Sequence, residues 1–430
     1  MEKGEFMKTK NRQQVVVIGG GFAGINVIKH LSSKIYDVIL IDKNNFHAFP
    51  PLFYQIASSG LEPGSICFPF RQEFRKYPHV HFWMGELISI NPDAHTVKTS
   101  TGTIGYDYLI IATGATTNFF GNDQLEKWVY TLKSTSDAIG LRNQVLSRLE
   151  YASTCFDETK RKAQLCFVVI GGGPTGVEVA GALGEMKKFV LPREYPDIDP
   201  DDVRVILAEG SDRLLRTMSK QSSEKAGKYL QQLDVEVFLN KILSSYDGKN
   251  AIFSDSEILT SQTVIWTAGI IGEKIDGIPD ETFNRQGRLI TDEYNLVRGF
   301  NDIYAIGDIG CITCKDYPNG HPQVAQVAIQ QAHNLAYNLN KLHRHRPFVY
   351  NDKGSMATIG RNRAVVDLPY SHFQGRLAWF IWMFVHLLSM LGMKNKLITF
   401  INWVWNYFTY NTSLRLYIRP PKHPDKKSDE

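Results

Sequence analysis

Two glycine-rich stretches carry most of the chemistry this sequence can do. Gly19-Gly20-Gly21-Phe22-Ala23-Gly24 follows the apolar run Val15-Val16-Val17-Ile18. Gly171-Gly172-Gly173-Pro174-Thr175-Gly176 follows Phe167-Val168-Val169-Ile170. Each reads as strand, tight turn, helix. In that order Gly19 and Gly171 permit the turn, and Gly21 and Gly173 let backbone approach a pyrophosphate. Gly24 and Gly176 let helix and strand pack closely. Amides at the helix start, aided by the helix dipole, then face the phosphates. One such pattern is a weak signal. Two, each with its strand before and helix-forming sequence after, predict two bound dinucleotides. The simplest use of two dinucleotides is to pass electrons between them.

The sequel to each turn fits. Val38-Ile39-Leu40-Ile41 ends in Asp42-Lys43, roughly 20 residues past the first turn, where a carboxylate binds an adenosine ribose. Val203 to Leu207 leads to Glu209 after a longer, Pro- and Asp-rich excursion. Glu209 accepts a 2′-hydroxyl and repels a 2′-phosphate, so NADH is expected over NADPH. Arg213 is the nearby cation that could reverse this. Two further apolar strands stop in small residues, Ala112-Thr113-Gly114 and Thr267-Ala268-Gly269. A bulky side chain there would collide with a cofactor. A last strand, Ile303 to Ile306, stops at Gly307-Asp308.

The elements that hold these residues predict an α/β protein with two Rossmann-like dinucleotide-binding domains. Residues 13–118 and 295–365 form the first, 119–294 form the second, inserted within it, and 366–430 follow as a C-terminal helical region. A net charge of +4 on 430 residues is too mild to argue for nucleic acid, and no basic, aromatic-interleaved stretch suits single strands. Five cysteines suit a reducing compartment without a disulfide framework. Cys311-Ile312-Thr313-Cys314 lacks a second ligand pair for zinc, so no metal is expected, and two small buried residues is the plainer reading. Near the first turn only Cys67 occurs, so a redox dithiol is missing there. The polar stretch Met1 to Gln14 has no apolar signal core.

Two features bear on the electron acceptor. In Ala325-Gln326-Val327-Ala328-Ile329-Gln330, Gln326 and Gln330 are i and i+4 and share a helix face. Ala325 and Ala328 keep the neighbouring surface low, so the face could press on a flat ring. The C-terminus is the other feature. Leu377 to Leu391 is nearly all apolar but short of the roughly 20 residues that span a bilayer. Leu397, Ile398, Phe400, Ile401, Val404, Trp405 and Phe408 then form one helical stripe. Trp403, Trp405, Tyr407 and Tyr410 suit the headgroup level, and Lys394, Lys396, Arg415, Arg419 and Lys422 suit anionic lipid. Two amphipathic helices lying on a membrane are expected. A buried hairpin or a homodimer interface is the other use of such a stripe.

The set GGGFAG, ATGA, GGGPTG, TAG and AIGD resembles the two-dinucleotide-binding flavoprotein superfamily. Within it, AQVAIQ is similar to the AQxAxQ motif of the type II NADH dehydrogenases. The strings from Phe46 to Ala57 and from Met356 to Arg361 look like the same family. That resemblance implies non-covalent FAD at the first turn and NADH/NAD⁺ at the second, with Asp308 on the ribityl chain of FAD. Hydride would pass from NADH to flavin N5, and a membrane quinone would then be reduced to quinol by two electrons, without proton pumping. Gln326 and Gln330 would lie at the quinone, next to the isoalloxazine ring, with Ala325 at FAD. Glu178, in the string GGGPTGVE, would lie by the nicotinamide and flavin. Read from spacing alone, Glu178 is a carboxylate in the first turn of its helix, favoured by the dipole. The resemblance further implies a peripheral protein on the cytoplasmic face of the cell membrane. The rival readings are a sulfide:quinone oxidoreductase, a soluble ferredoxin reductase, and a nucleotide sensor that recruits a partner.

Overall fold

The computed structural model describes residues 11–341, 345–409 and 414–418. One local unit forms twice. Gln13–Ile18 (β1), Phe22–His30 (α1) and Tyr36–Asp42 (β2) make the first copy. Cys166–Ile170 (β3), Pro174–Glu185 (α2) and Arg204–Glu209 (β4) make the second. β1 and β3 are continuous apolar runs because their sheets are covered on both faces; the side chains of Val16 and Val168 have no exposure at all. The first sheet runs Ile303–Ala305, Tyr108–Ile111, β1, β2, Val80–Met84. The second runs Val235–Leu239, β4, β3, Thr263–Trp266. In both, the motif strand pairs in parallel with a neighbour on each side. The glycine turn therefore opens at the carboxyl edge, where strand order switches direction and ligands bind in such folds.

Contacts gather the described chain into two compact units. One takes residues up to Ala48, Cys67–Asn118 and Ile270–Lys353. The other takes Phe49–Ile66, Phe119–Gly269 and the residues from Gly354 onward. The boundaries differ from those that spacing suggested. Residues 270–294 belong with the first unit because Ile270–Ile271 pairs with Thr116–Thr117 and Leu289–Thr291 pairs with Gly310–Ile312. Residues 354–365 belong with the second, because the strand Ser355–Thr358 of an antiparallel three-stranded sheet packs on α2.

In the first unit Ala325–Asn340 (α3) packs along α1 and over the Gly307–Ile309 turn. Gly307 has φ +76°, and a Cβ there would lie 3.2 Å from Ala23 Cβ and 3.5 Å from Ala328 Cβ. Small residues at all three positions bring two helices and the turn together.

Arg376–Ser389 (α4) and Met393–Thr409 (α5) lie in the second unit. The expected stripe on α5 points outward: Leu397, Phe400, Ile401, Val404, Trp405 and Phe408 are all exposed, and Leu377, Phe380, Phe384 and Leu388 of α4 are too. The polar side of α5 faces the protein. Asn395 Nδ2 donates to Gly64 O (2.9 Å), Trp403 Nε1 to Gln55 Oε1 (2.8 Å) and Asn406 Nδ2 to Gly60 O (3.1 Å). Trp403 is thus turned inward, not toward a headgroup layer, because its indole N–H has a partner in the protein. Arg415 is withdrawn from the basic flank by an ion pair with Glu194. Tyr410, Arg419 and Lys422 lie outside the described residues. No described helix is long and apolar enough to cross a membrane.

Candidate functional site

The two glycine turns are built alike. Gly19 and Gly171 have φ of +99° and +108°, values that L side chains rarely adopt. A Cβ on Gly24 would lie 1.9 Å from Gly19 O, and one on Gly176 would lie 1.8 Å from Gly171 O. Each turn is closed by the carboxylate of the second strand. Asp42 accepts from Gly20 N and Asn44 N, both at 2.7 Å. Glu209 accepts from Gly172 N at 2.5 Å and Ser211 N at 2.7 Å. Each carboxylate oxygen thus takes one amide and keeps lone-pair capacity for a vicinal diol. Burial pushes the Asp42 carboxyl above its usual range, and the two amides oppose that shift.

Dinucleotides fit this construction. α1 and α2 begin on Gly21 and Gly173 with no side-chain cap and no acidic residue in the first turn. A Cβ on either glycine would meet no protein atom within 4 Å. The helix-start amides are therefore open to phosphate. Thr113 and Gly269 are exposed beside their turns, and Gly114 and Gly269 have φ of +79° and +85°. Arg213 donates to Met218 O and Arg216 O, at 3.2 and 2.8 Å. It braces its own loop and is not poised for a 2′-phosphate. Lys43 is exposed and pairs loosely with Glu86.

The first turn carries further supports. His47 is buried, and its Nδ1 lies 2.9 Å from Gly20 O. Burial pulls its pKa down to about 4, so the ring is neutral and Nδ1 carries the proton that Gly20 O accepts. Gly307 N donates to Gln331 Oε1 (2.7 Å), and Gln323 Nε2 donates to Asp308 O (3.1 Å). Two glutamines thereby fix the loop that presents Asp308. Gln326 and Gln330 share a face of α3 and are half-buried. Their amides hold the segment that follows the helix. Gln326 Oε1 accepts from Lys353 N (3.0 Å), while Gln330 accepts from Asn351 N (3.0 Å) and donates to Asn351 O (2.9 Å).

The second turn leads into a different surface. Glu178 falls one turn later than spacing suggested, and the first turn of α2 has no acidic residue. It is 8% exposed and accepts from Thr358 N at 3.5 Å. It therefore does not cap its own helix. Burial drives its pKa up to about 8, with Thr358 and Trp382 opposing. A carboxylic acid protonated at neutral pH is a proton donor in waiting. The buried Trp382 indole N–H has no partner other than this carboxyl. Seven residues on, Glu185 accepts from Arg361 N at 2.6 Å, and burial raises its pKa against the pull of Arg361 and Arg363.

Known proteins resemble this chain over nearly its full length. The family model for pyridine nucleotide-disulphide oxidoreductases matches residues 13–332, and the NDH2 C-terminal domain model matches 353–410. The type II NADH:quinone oxidoreductase NdhA of Mycobacterium tuberculosis is 34% identical over 424 residues, covering 94% of this chain and 89% of that one. Ndh of the same organism is 33% identical, with 93% and 89% covered. The chain belongs to the type II NADH:quinone oxidoreductases. The fold agrees. The structure of NDH2 from Plasmodium falciparum in complex with NADH superposes with a TM-score of 0.86 at 24% identity, over 95% of this chain and all of that one.

In this type II NADH:quinone oxidoreductase, sequence reasoning gave no individual contact to His47, Gln331, Tyr54, Gln55, Glu185 or Arg361, although His47, Tyr54, Gln55 and Arg361 lie in strings that look like the family. Glu185 was discoverable, since seven residues from Glu178 returns to one helix face. For Tyr54 and Gln55 the string gave no contacts, because those depend on long-range packing, as of Gln55 against Trp403 of α5. Of the CxxC pair, Cys311 is buried as expected but Cys314 is exposed. Among the described residues no group of three or more His, Cys, Asp or Glu is placed to hold a metal.

Proposed function

We propose that Gly19–Gly24, Asp42, Ala112–Gly114, Gly307, Asp308 and Ala325 hold FAD. Gly171–Gly176, Glu209 and Ala268–Gly269 hold NADH. Glu178 supplies a proton, and Gln326 and Gln330 contact the quinone. FAD, when bound, supplies the hydride and two-electron chemistry that joins NADH oxidation to quinone reduction. The chain's own residues orient, exclude and protonate. Glu209 presents a fixed carboxylate to the adenosine ribose of NADH, and Arg213, engaged by Met218 O and Arg216 O, does not offset that charge for a 2′-phosphate. Glu178 holds a proton at its buried carboxyl up to about pH 8. The i, i+4 pairing of Gln326 and Gln330, stiffened by residues 351–353, supports their role as a preorganised amide face.

The observation that carries this reading is the duplicated turn closed by a carboxylate. Its test is anaerobic mixing of the yellow protein with NADH, followed by a short-chain quinone. Bleaching and then recovery of the flavin band are expected. An unbleached flavin would overturn the NADH site, and a flavin that stays bleached would overturn the quinone.

The C-terminal helices rest on the membrane surface in this reading, on its cytoplasmic face. Support comes from the exposed apolar residues of α4 and α5, a patch of the kind that needs cover, and from exposed Lys394 beside it. A homodimer through the same face is the competing use. Sedimentation with anionic vesicles separates them: Trp405→Ser with Phe408→Ser should release the protein from lipid. Unchanged lipid binding would contradict the membrane role.

A further inference from the structure

We propose that a cavity on the Glu178–Glu185 face of α2 is a water-filled proton entry, in which Glu185, Gln55 and Tyr54 return a proton to Glu178 on each turnover. It rests on the reading of Glu178 as the proton source, and goes beyond it by naming how that source is refilled.

The reaction demands such a path. NADH + H⁺ + quinone gives NAD⁺ + quinol, so each turnover draws one proton from the medium. Glu178 can give that proton only once unless it is reprotonated, and it is buried. Groups beside it share a cavity of about 150 Å³. Tyr54, Thr358 and Trp382, which surround Glu178, line that cavity, and so do Ala182, Glu185 and Arg361. At about 30 Å³ of liquid per molecule, this holds roughly five waters. Water stays in a cavity only with two to four polar partners each, and this wall supplies carboxyl, phenol, amide and guanidinium groups.

Fixed hydrogen bonds order the wall. Trp403 Nε1 donates to Gln55 Oε1 (2.8 Å), and Gln55 Nε2 donates to Tyr54 Oη (2.7 Å). Tyr54 Oη is thus filled as an acceptor, which leaves its proton to point away from Gln55. Tyr54 is buried, and both Glu178 and Glu185 act electrostatically on it. Arg361 locks the far side: its guanidinium donates to Tyr407 O (2.7 Å) and Asn406 O (2.5 Å) at the end of α5. The remaining charged groups facing these carboxyls are Arg363 and, at the cavity wall, Arg415. The Glu178 and Glu185 carboxyls are both shifted upward by burial, which favours the protonated form of each.

The transfer balances. As the quinol O–H forms, the Glu178 O–H breaks and its electron pair stays on the carboxylate. A cavity water, oriented by Tyr54, protonates that carboxylate. Glu185 reprotonates the water, and bulk solvent reprotonates Glu185. No oxidant or reductant enters.

The test compares Glu185→Gln and Tyr54→Phe with the parent enzyme, each loaded with flavin. Quinone turnover is divided by NADH:ferricyanide turnover, which delivers no proton to its acceptor and reports folding. This ratio should fall about tenfold in Glu185→Gln. The loss is smaller than the 10²–10⁴ of a lost general acid because solvent still arrives by slower routes. The solvent isotope effect should rise, and formate, a small weak acid, should restore turnover as a purely structural defect would not allow. If Glu185→Gln is too unstable to purify, Tyr54→Phe carries the same readouts. A ratio within twofold of the parent, with an unchanged pH profile, would overturn the proton entry. If Glu178→Gln also keeps its quinone turnover, the parent reading falls instead. If Glu178→Gln is impaired and Glu185→Gln is normal, only the entry path falls.

Discussion

The two glycine turns share one local geometry and differ in everything attached to it. Both have a left-handed first glycine, a third glycine against the first one's carbonyl, and a carboxylate bonded to two amides. At the first turn, Gly20 O is held by the buried ring of His47 and the Asp308 loop by two glutamines. At the second, Gly172 O is held by the backbone N–H of Leu215, and the helix beyond carries one buried and one half-buried acid, Glu178 and Glu185. In the proposed reading, the same phosphate-binding device serves a resident cofactor where side chains lock the surroundings. It serves an exchanging one where the loop is braced by its own backbone and the next helix face handles protons.

Breaking the turns should have the largest effect. Gly24→Val should yield protein without flavin colour, and Gly176→Val protein that keeps its colour. In the latter, NADH affinity should fall at least roughly 100-fold, the equivalent of one or two charge-assisted hydrogen bonds at about 1.5–3 kcal/mol each. Isothermal titration checks this. Next comes Glu178→Gln, which should lower quinone turnover by about 10²-fold, the low end for a general acid. In the parent enzyme, turnover should decline as pH rises through about 8, and the variant should lack that limb in its steady-state pH profile.

A smaller effect is expected at the specificity carboxylate. Glu209→Gln should shift the NADH:NADPH ratio of kcat/KM by roughly tenfold toward NADPH, the removal of one repulsive charge at about 1.4 kcal/mol. Gln326→Ala should raise the quinone KM severalfold through loss of about 1 kcal/mol of hydrogen bonding. It should leave flavin reduction by NADH unaltered in rapid mixing. The smallest change concerns stability. Glu178 ionises at about 4.3 in an unfolded chain and at about 8 when folded. The native state binds more protons between those values, so stability is full below the window and falls as pH rises through it. Thermal melts of Glu178→Gln should be flatter with pH across that range.

Much of this was legible in the sequence because it is local. Strand, glycine spacing and closing carboxylate fix the turns, the carboxylate lying 22 residues past Gly20 in one and 37 past Gly172 in the other, and period fixed the outward stripe of α5. What escaped depends on contacts far apart along the chain. Trp403 looked like an interfacial ring until its partner Gln55 was seen. Glu178 looked like a helix-start carboxylate, but Thr358, 180 residues away, decides its environment. Arg415 looked like a lipid-facing cation and is paired with Glu194, 221 residues away. The compact units depart from the spacing-based bounds for the same reason: Leu289–Thr291 lies within residues 119–294 but pairs with Gly310–Ile312 of the first unit.

The inequality of the two turns is tested most directly by anaerobic rapid mixing of NADH with the parent enzyme and with purified Gly176→Val, watching the flavin band. The parent should bleach, while Gly176→Val should start equally yellow and stay yellow at the same NADH concentration. A Gly176→Val protein that loses its flavin, or that bleaches at the parent rate, would contradict the assignment of the resident cofactor to the turn at Gly19 and of NADH to the turn at Gly171.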